Sequence, residues 1–526
     1  MNIYFIGMCI SFILYIIIGL IISRKVKDVN VYYVAGRRAP VILVGGSLIA
    51  SYTGTSLFMG DGGQCYDGGF AAILTVATMQ TAGYVFGAVF FGRYLRRSKA
   101  LTIPEFFGKR FASVKIKKLA AITALVILTV YLLSITQGIG TLMSVVTGID
   151  YNVCMVTALL VCTIITIIAG SSGVLITDTI MACIFTGALL FAVVAIVCNA
   201  GGWYDGIHSL LSNPATQEHL SWTGAKNILY ESNFSNFVWA FVYGIVWMSV
   251  CMVGPWQSSR YLMAKNEHTV VKSSIIAIIG IFVLQFLSGI GAVFVNVLNP
   301  ELENSSHVFI WAAMNAMPKI LGVVLLTGIL AAGISSATTF LSLIGASVAN
   351  DLMEAKDKKA ITAGRWTMLI VSIVVLLLAI FNPPAIFWIM YLSSTIVASA
   401  WMPVAIGCVF SKRLTKTGAF CGMLAGFVSF FVLRLFIALS GVELPVYLDP
   451  AIVGMVFNII FMVIGSACTH VSEEEKTIRI KMFEMPESEK NPLEIKKTLK
   501  WSKAALLIGP AIVVTMLILW VIPCLK

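Results

Sequence analysis

Four hydroxyl side chains are clustered in the middle of one long apolar segment. Ser335 and Ser336 are followed by Thr338 and Thr339 within the stretch GILAAGISSATTFLSLIGASVANDL. Residues three and four positions apart share one face of an α-helix, so Ser335 faces the same way as both threonines. A single Ser or Thr in such a helix usually bonds a carbonyl of the preceding turn. A cluster of this density exceeds what helix packing requires, and it marks a candidate polar site.

A second apolar segment, GGSLIASYTGTSLFMGDGG, is interrupted by glycines and also carries hydroxyl groups. Such a helix can break inside the protein, and a break frees backbone carbonyls to face a cavity. Carbonyl oxygens and half-helix ends suit a small, hard cation that prefers oxygen ligands. Close packing against a neighbouring helix explains the glycines equally well at this stage. The glycines are Gly45, Gly46, Gly54 and Gly60, and the hydroxyl residues are Ser47, Ser51, Thr53, Thr55 and Ser56.

Ionisable side chains are sparse in the apolar segments, and each is informative because a carboxylate at membrane depth must pair or face water. Asp178, in GVLITDTIM, lies at the start of one segment, where it either caps a helix or takes part in a site. Asp61 lies near the end of the glycine-interrupted segment, and we expect it to be exposed in a vestibule. Arg434 lies near the end of another segment, and we expect its side chain to extend toward water.

The composition identifies the elements that must position these residues. Of 526 residues, 59% are apolar and 11% are charged, a balance that no soluble domain carries. A helix of about 20 apolar residues crosses a bilayer. The sequence therefore predicts about fourteen transmembrane helices, at 3–23, 41–63, 69–94, 119–146, 152–170, 177–200, 234–255, 273–298, 319–349, 363–381, 385–410, 417–440, 450–468 and 502–523.

Lys and Arg are concentrated in alternate loops between these helices. The loops that hold 32 of the 36 basic residues are 24–40, 93–118, 257–272, 351–365, 411–416 and 470–503. The positive-inside rule places these loops in the cytoplasm and both termini outside the cell (inner) membrane. The net charge of +12 therefore reflects topology, and no nucleic acid partner is expected. The charged stretch 470–502 is expected to be a solvated cytoplasmic linker.

Several motifs resemble those of the sodium:solute symporter family, and the resemblance covers most of the chain. The motifs are Tyr33-Val-Ala-Gly-Arg37, Thr102-Ile-Pro-Glu-Phe-Phe-Gly-Lys-Arg110, Thr177-Asp178, and Ala331-Ala-Gly-Ile-Ser-Ser336 through Asn350-Asp351. The resemblance implies one all-α, polytopic, LeuT-like transporter domain with a ten-helix core of two inverted five-helix repeats. That core is expected at 41–410, after a helix and loop at 1–40 and before additional helices in 411–526.

The resemblance also implies two ion sites and a solute cavity. The main sodium site joins the broken second helix to the ninth helix, and carried over by position it comprises Ala50, Thr53, Ala332, Ser335 and Ser336. A second sodium, or an exit path for the ion, would involve Asp178, Thr338 and Thr339. The residues expected beside the central substrate cavity are Tyr52, Thr55, Trp256 and Gln257.

These expectations predict a sodium-coupled symporter that imports a small organic solute by alternating access. Tyr52, Trp256 and Tyr391-Leu-Ser-Ser394 look like the choline-transporter branch, in which aromatic rings hold a quaternary ammonium. A quaternary amine, an amino acid, and a carboxylate or vitamin all remain open as the solute.

Other function classes are carried as alternatives. One is a solute sensor with a transporter-like fold, and another is a sodium-independent or proton-coupled carrier. The sequence shows no paired carboxylates, His cluster or nucleophile motif, so no enzyme is expected. The eleven cysteines are scattered singly without metal-ligand spacing, so no transition metal is expected. Sodium, as the coupling ion, is the only bound species expected besides the solute, and no cofactor is expected. The sequence leaves the oligomeric state open.

Overall fold

The protein is almost entirely helical. The computed structural model describes residues 3–23, 29–225, 229, 230 and 232–525. Among these, twelve helices are long and apolar enough to cross a membrane, and Ile3–Ile17 and Val41–Tyr52 are shorter apolar helices. The predicted all-α class is confirmed, with about fourteen spans. Three basic residues of the 24–40 loop used to predict the orientation, Arg24, Lys25 and Lys27, lie outside the described residues, as do Lys226 and Lys526.

After a first helix, α1 (Ile3–Ser23), the chain forms two successive sets of five spans. Each set opens with an interrupted helix. Because five is odd, the second set enters the membrane from the face opposite to the first, which gives the two sets inverted orientations. The first set is α2 (Val41–Tyr52, resumed at 57–69), α3 (70–97), α4 (Val114–Thr147), α5 (Tyr151–Ile168) and α6 (Val174–Asn199), the last two sharing one helical stretch of backbone.

The second set repeats this pattern, and three further helices follow it. The second set is α7 (Asn233–Val253, resumed as Pro255–Met263), α8 (Glu267–Leu298), α9 (Lys319–Leu352), α10 (Asp357–Phe381) and α11 (Ile386–Phe410). The added helices are α12 (Lys416–Ser440), α13 (Pro450–Ala467) and α14 (Pro492–Leu525). Following the predicted orientation, we call the end with loops 299–318, 382–385 and 441–449 the outer face, and the opposite end the inner face.

Both helix interruptions follow from local chemistry. Pro255 lacks an N–H and disfavours helical geometry at the residue before it, and Gly254 accordingly has φ −52° and ψ 134°. At the other break, Thr53 is extended, with φ −88° and ψ 105°. A Cβ at Gly54 would lie 3.3 Å from Ser336 Oγ, so only glycine lets α9 approach this closely without adjustment. The two breaks place polar backbone inside the protein, where other elements cover it.

The motifs that indicated the family pack together at the inner face. Arg37 donates to the carbonyls of Lys99 and Ala100 at 2.9 and 3.0 Å, and burial lowers the pKa of its guanidinium to about 10. Thr102 Oγ1 donates to both carboxylate oxygens of Asp351, at 2.9 and 2.7 Å. Segments distant in sequence thus close the inner ends of the two helix sets against each other.

The stretch 470–502 differs from the predicted solvated tether. It contains the helix Glu473–Phe483, whose N-terminus has a capping box, and α14 begins at Pro492, ten residues earlier than the predicted 502. Arg97 Nη1 donates to the Phe483 carbonyl at 2.7 Å, and the Phe483 ring stacks on Tyr94 at 4.1 Å. Charge density indicated solvation, but many of these polar groups find partners on the inner ends of α3 and α8.

A buried ion-pair cluster anchors this inner surface, and we predict that it is important for stability. The Glu267 carboxylate is fully buried and contacts Arg93 at 2.7 Å and Arg97 at 2.6 Å. Glu267→Gln leaves the two guanidinium groups without their counter-charge, which should cost about 3 kcal/mol of folding free energy. The loss is measured as a lower thermal unfolding midpoint of the purified protein in detergent.

The matched control is Glu473→Gln, which removes an exposed pair with Lys476. Such surface pairs contribute about 0–1 kcal/mol, so the unfolding midpoint of this variant should stay near that of the wild type. Equal midpoints for the two variants would show that the Glu267 cluster is not stabilising.

Candidate functional site

The break in α2 brings a backbone carbonyl against the hydroxyl cluster of α9. Ser336 Oγ donates to the Thr53 carbonyl at 3.2 Å, and both residues are buried. The last carbonyls of a helix lack partners within it. Here the Ile49 carbonyl still accepts from the Thr53 N–H at 3.0 Å, and the Thr53 carbonyl is the one that accepts from α9. The Thr53 hydroxyl is buried and has no hydrogen-bond partner in the described part of the chain. Oxygen atoms therefore converge at this junction.

The second group of predicted ion ligands is organised around Asp178 on α6. Ser335 Oγ donates to Asp178 Oδ1 at 2.6 Å, and Ser47 Oγ donates to Oδ2 at 2.5 Å. All three residues are completely buried. The carboxylate therefore connects α2, α6 and α9, and the predicted reading of Asp178 as a helix cap does not describe its contacts.

Arg260, a residue that the sequence analysis did not single out, completes this centre. Its Nη2 lies 3.0 Å from Asp178 Oδ2 and donates to Thr339 Oγ1 at 2.6 Å. The guanidinium is 1% exposed. The pair is net neutral, which is the condition under which charges persist inside a protein. Arg260 thus occupies the space between Asp178 and Thr339 where a second cation was predicted.

The other predicted ion-site residues are buried in the same region but make different contacts. Thr338 Oγ1 donates to the Ser335 carbonyl of its own helix at 3.0 Å, so this hydroxyl does not contact Asp178. Ala50 and Ala332 are fully buried. The structure therefore joins Ser336 to Thr53, joins Ser335 and Thr339 to the Asp178 centre, and leaves Thr338 bonded within α9.

The predicted substrate residues lie in two polar and aromatic clusters. The Tyr52 ring lies tilted against Trp247 with centroids 4.9 Å apart, and the Tyr52 hydroxyl accepts from Gln285 Nε2 at 2.7 Å. Gln285 Oε1 in turn accepts from Gln80 Nε2 at 2.6 Å. Gln80 Oε1 is buried without a partner among the described residues. This first cluster offers uncharged donors and acceptors next to the break in α2.

The second cluster surrounds the resumed half of α7. Trp256 packs edge-on against Tyr131 at 5.1 Å and against Phe340 at 5.3 Å. Gln257 accepts from the Tyr84 hydroxyl at 2.7 Å and donates to Ser51 Oγ at 3.2 Å. Trp256 is completely buried, so its ring is already covered in this conformation.

Thr55 packs closely against α4, and its position depends on a glycine. A Cβ at Gly138 would overlap Thr55 Oγ1. The Thr55 hydroxyl donates to the Ile135 carbonyl at 3.5 Å. Thr55 is therefore part of the α2–α4 contact at the level of the break.

The expectation that Asp61 is an exposed vestibule residue is wrong. Asp61 is 4% exposed, and its carboxylate accepts from the Tyr243 hydroxyl at 2.9 Å. The reason is that 57–69, the resumed half of α2, is covered by α7 and by the loop before α9. Burial by segments distant in sequence is not visible from hydropathy.

Two signals would have identified the residues that sequence reasoning missed. The Gly254-Pro255 break predicts that the helix resumes at Pro255. Arg260 is five residues further on, about 7.5 Å along the helix axis, so it belongs to the resumed helix and not to a loop. Asp178 needs a counter-charge at this depth, and Arg260 is a cation on a neighbouring span. Gln80, Gln285 and Tyr131 have no such signal, because only packing brings them to the site. Ser47 was named among the hydroxyl residues of α2, but only packing gives it Asp178 as a partner.

Comparison with known proteins identifies similarity to one group of transporters. A model of the sodium:solute symporter family matches residues 32–426. The sodium/proline symporter of Salmonella typhimurium is 25% identical over 495 residues, covering 89% of this chain and 95% of that protein. The osmoregulated proline transporter OpuE of Bacillus subtilis is 26% identical over 443 residues, covering 80% of this chain and 86% of that protein.

Solved structures show the same architecture. A Na⁺-coupled sialic acid symporter in its substrate-bound outward-open state has a TM-score of 0.72 at 17% identity, covering 90% of this chain and 99% of that one. Mhp1, a nucleobase-cation-symport-1 family transporter, has a TM-score of 0.55 at 13% identity, covering 86% of this chain and 98% of that one. The predicted LeuT-like fold is confirmed. Because the family model matches well over half of the residues, the chain belongs to the sodium:solute symporter family.

Proposed function

We propose that this protein imports a small, electrically neutral amino acid together with sodium, and that L-proline is the first candidate solute. The observation that carries the proposal is the contact between Ser336 Oγ and the Thr53 carbonyl, 3.2 Å apart, at the break in α2. Family membership and relatives named as proline transporters support it.

The proposed sodium ligands are the five main-site residues predicted from the sequence: Ala50, Thr53, Ala332, Ser335 and Ser336. Ser335 and Ser336 each use their hydroxyl hydrogen in a bond, to Asp178 and to Thr53 respectively. A hydroxyl that donates its hydrogen still has oxygen lone pairs for a cation. The contacts present are thus compatible with sodium bound between α2 and α9.

The location of this site explains how sodium binding would drive transport. α2 belongs to the first helix set and α9 to the second. A ligand shifts a conformational equilibrium only if it binds one state more tightly than the other. A cation held jointly by both sets favours the state in which they meet, and solute bound beside Tyr52 would favour the same state.

We propose that Asp178, Thr338 and Thr339 form an exit path and not a second resident site. The Arg260 guanidinium already neutralises Asp178, with 3.0 Å between Nη2 and Oδ2. A second sodium at the same carboxylate would leave an uncompensated positive charge in a buried centre, which is costly. Sodium activation of transport should therefore be close to first order.

The polar groups around the break favour a solute without net charge. Tyr52, Gln285, Gln80, Tyr84 and Gln257 provide neutral donors and acceptors, and Gln80 Oε1 has no partner in the described structure. A zwitterionic amino acid uses both kinds of group and adds no net charge to the site. A quaternary ammonium group has no N–H to donate to the unpartnered Gln80 Oε1, whereas the ammonium group of an amino acid has one.

Loss of one sodium ligand should weaken sodium activation. Ser336→Ala removes one oxygen, worth about 1 kcal/mol, and should raise the sodium concentration for half-maximal L-proline uptake about fivefold. Uptake is measured in proteoliposomes over a range of sodium gradients. Thr327→Ala on the same helix is the control, because its hydroxyl bonds only the Val324 carbonyl in this structure and is exposed.

The result that contradicts the site is unchanged sodium dependence in Ser336→Ala at normal protein yield. A proton-coupled carrier is distinguished in the same vesicles by replacing sodium with potassium and applying a pH gradient. Uptake driven by protons alone would favour the buried Asp61 carboxylate as the coupling group.

The Asp178–Arg260 pair should behave as one unit. Asp178→Asn leaves a buried guanidinium unpaired and should cost about 3–5 kcal/mol, seen as a large drop in unfolding temperature. The double variant Asp178→Asn/Arg260→Gln removes both charges and should recover much of that loss. Additive effects of the two substitutions in a double-mutant cycle would show that the pair is not coupled.

A further inference from the structure

A polar cavity of about 650 Å³ lies at the outer face, away from the central site. It is formed at the outer ends of α7, α11, α12 and α13. Its volume is within the range of small-molecule sites, about 300–1,000 Å³. The central site is built from α2, α3, α4, α6, α7, α8 and α9, so α12 and α13, which follow the two helix sets, contribute only to the outer cavity.

Charged groups of both signs line this cavity. Arg434 and Glu443 form no hydrogen bond or ion pair with any residue that the structure describes, and Arg434 Nε is buried. The third charge, Asp449, is buried, accepts from the Tyr391 hydroxyl at 3.1 Å, and caps α13 through the Ala451 N–H at 2.8 Å. Arg434, half-buried and within electrostatic range of Asp449, and the exposed Glu443 therefore border the same small volume without a direct ion pair.

Four aromatic side chains complete the lining. Tyr230, Trp239, Trp388 and Tyr391 all border the cavity. The Tyr391 ring lies 6.2 Å from Trp239 and 6.2 Å from Trp388. Aromatic faces attract ammonium groups, and a guanidinium binds a carboxylate with two parallel hydrogen bonds.

The cavity is connected to the central site by rings in contact. Tyr391 lies 5.6 Å from Tyr243, and Tyr243 lies 6.4 Å from Trp247. The Trp247 ring lies tilted against Tyr52, with centroids 4.9 Å apart, next to the break in α2. A solute held at the outer cavity would thus touch the first ring of a series that ends at the proposed central site.

We propose that this outer cavity is a second binding site for a small zwitterion. The carboxylate is bound by Arg434, and the ammonium group by the aromatic faces with Glu443 and Asp449. The site captures solute at the outer face before it enters the centre. This inference rests on the proposed function in that the same class of solute occupies both sites, but it requires no sodium.

The test is equilibrium binding of tritiated L-proline and tritiated glycine betaine to the purified full chain in lipid nanodiscs, in potassium buffer without sodium. Both zwitterions should bind, whereas choline and propionate, each with a single charge, should compete at least tenfold more weakly.

Among the variants, Arg434→Gln should weaken binding about tenfold and Glu443→Gln about threefold. Arg434→Lys should weaken binding less than Arg434→Gln. The matched charge controls at the outer face, Lys319→Gln and Glu301→Gln, should bind like the wild type.

Ser336→Ala separates the two proposals, because it should leave sodium-free binding unchanged. Absence of sodium-free binding of both zwitterions, or equal binding by Arg434→Gln and the wild type at matched unfolding temperatures, would overturn the outer site. Competition by choline or propionate as strong as by the zwitterions would also overturn it. Failure of sodium-driven L-proline uptake, with binding that still responds to Arg434→Gln, would instead contradict the proposed function alone.

Discussion

A single buried carboxylate, Asp178, determines how the centre of this protein is arranged. Its two oxygens accept from Ser335 and Ser47, and Arg260 lies against it at 3.0 Å. A charge removed from water must be compensated nearby, and each compensating group here comes from a different helix. The carboxylate thus holds α2, the resumed half of α7 and α9 against α6. In the same turn of α9, Ser335 bonds this carboxylate and Ser336 bonds the Thr53 carbonyl at the break in α2.

The two helix breaks provide the polar backbone that an unbroken membrane helix cannot offer. Gly254-Pro255 breaks α7 through covalent constraint, whereas Thr53-Gly54 breaks α2 where α9 approaches closely. In the first case the reason is chemical and local, and in the second it is steric and tertiary. The structure places the two interruptions near each other in the interior, where Gln257, just after one break, donates to Ser51, just before the other, at 3.2 Å. Proposed sodium binding between the two sets follows from that position, since a shared ligand stabilises their contact.

The helices added after the two sets give the outer and inner faces separate features. At the outer face, α12 and α13 bring Arg434 and Asp449 around a cavity that also borders Tyr391 of the second set. At the inner face, the segment between α13 and α14 packs on Arg97 and Tyr94. The ten-helix arrangement is therefore enclosed by elements that present polar groups to it at both ends. A ring series from Tyr391 to Tyr52 connects the outer cavity to the centre.

The sequence by itself determined the elements and the chemistry that each offers. Apolar length indicated the spans, glycine and hydroxyl spacing indicated a polar break in α2, and the clustered Ser335 and Ser336 indicated a polar site on α9. These signals are local, because they depend on the bilayer thickness and on backbone geometry. The resemblance to the sodium:solute symporter family implied that the two belong together. Only the tertiary structure decided that Arg260 neutralises Asp178, that Thr338 bonds its own helix, and that Asp61 is buried beneath Tyr243. Those outcomes depend on which residues distant in sequence reach the same volume, and hydropathy and spacing carry no information about that.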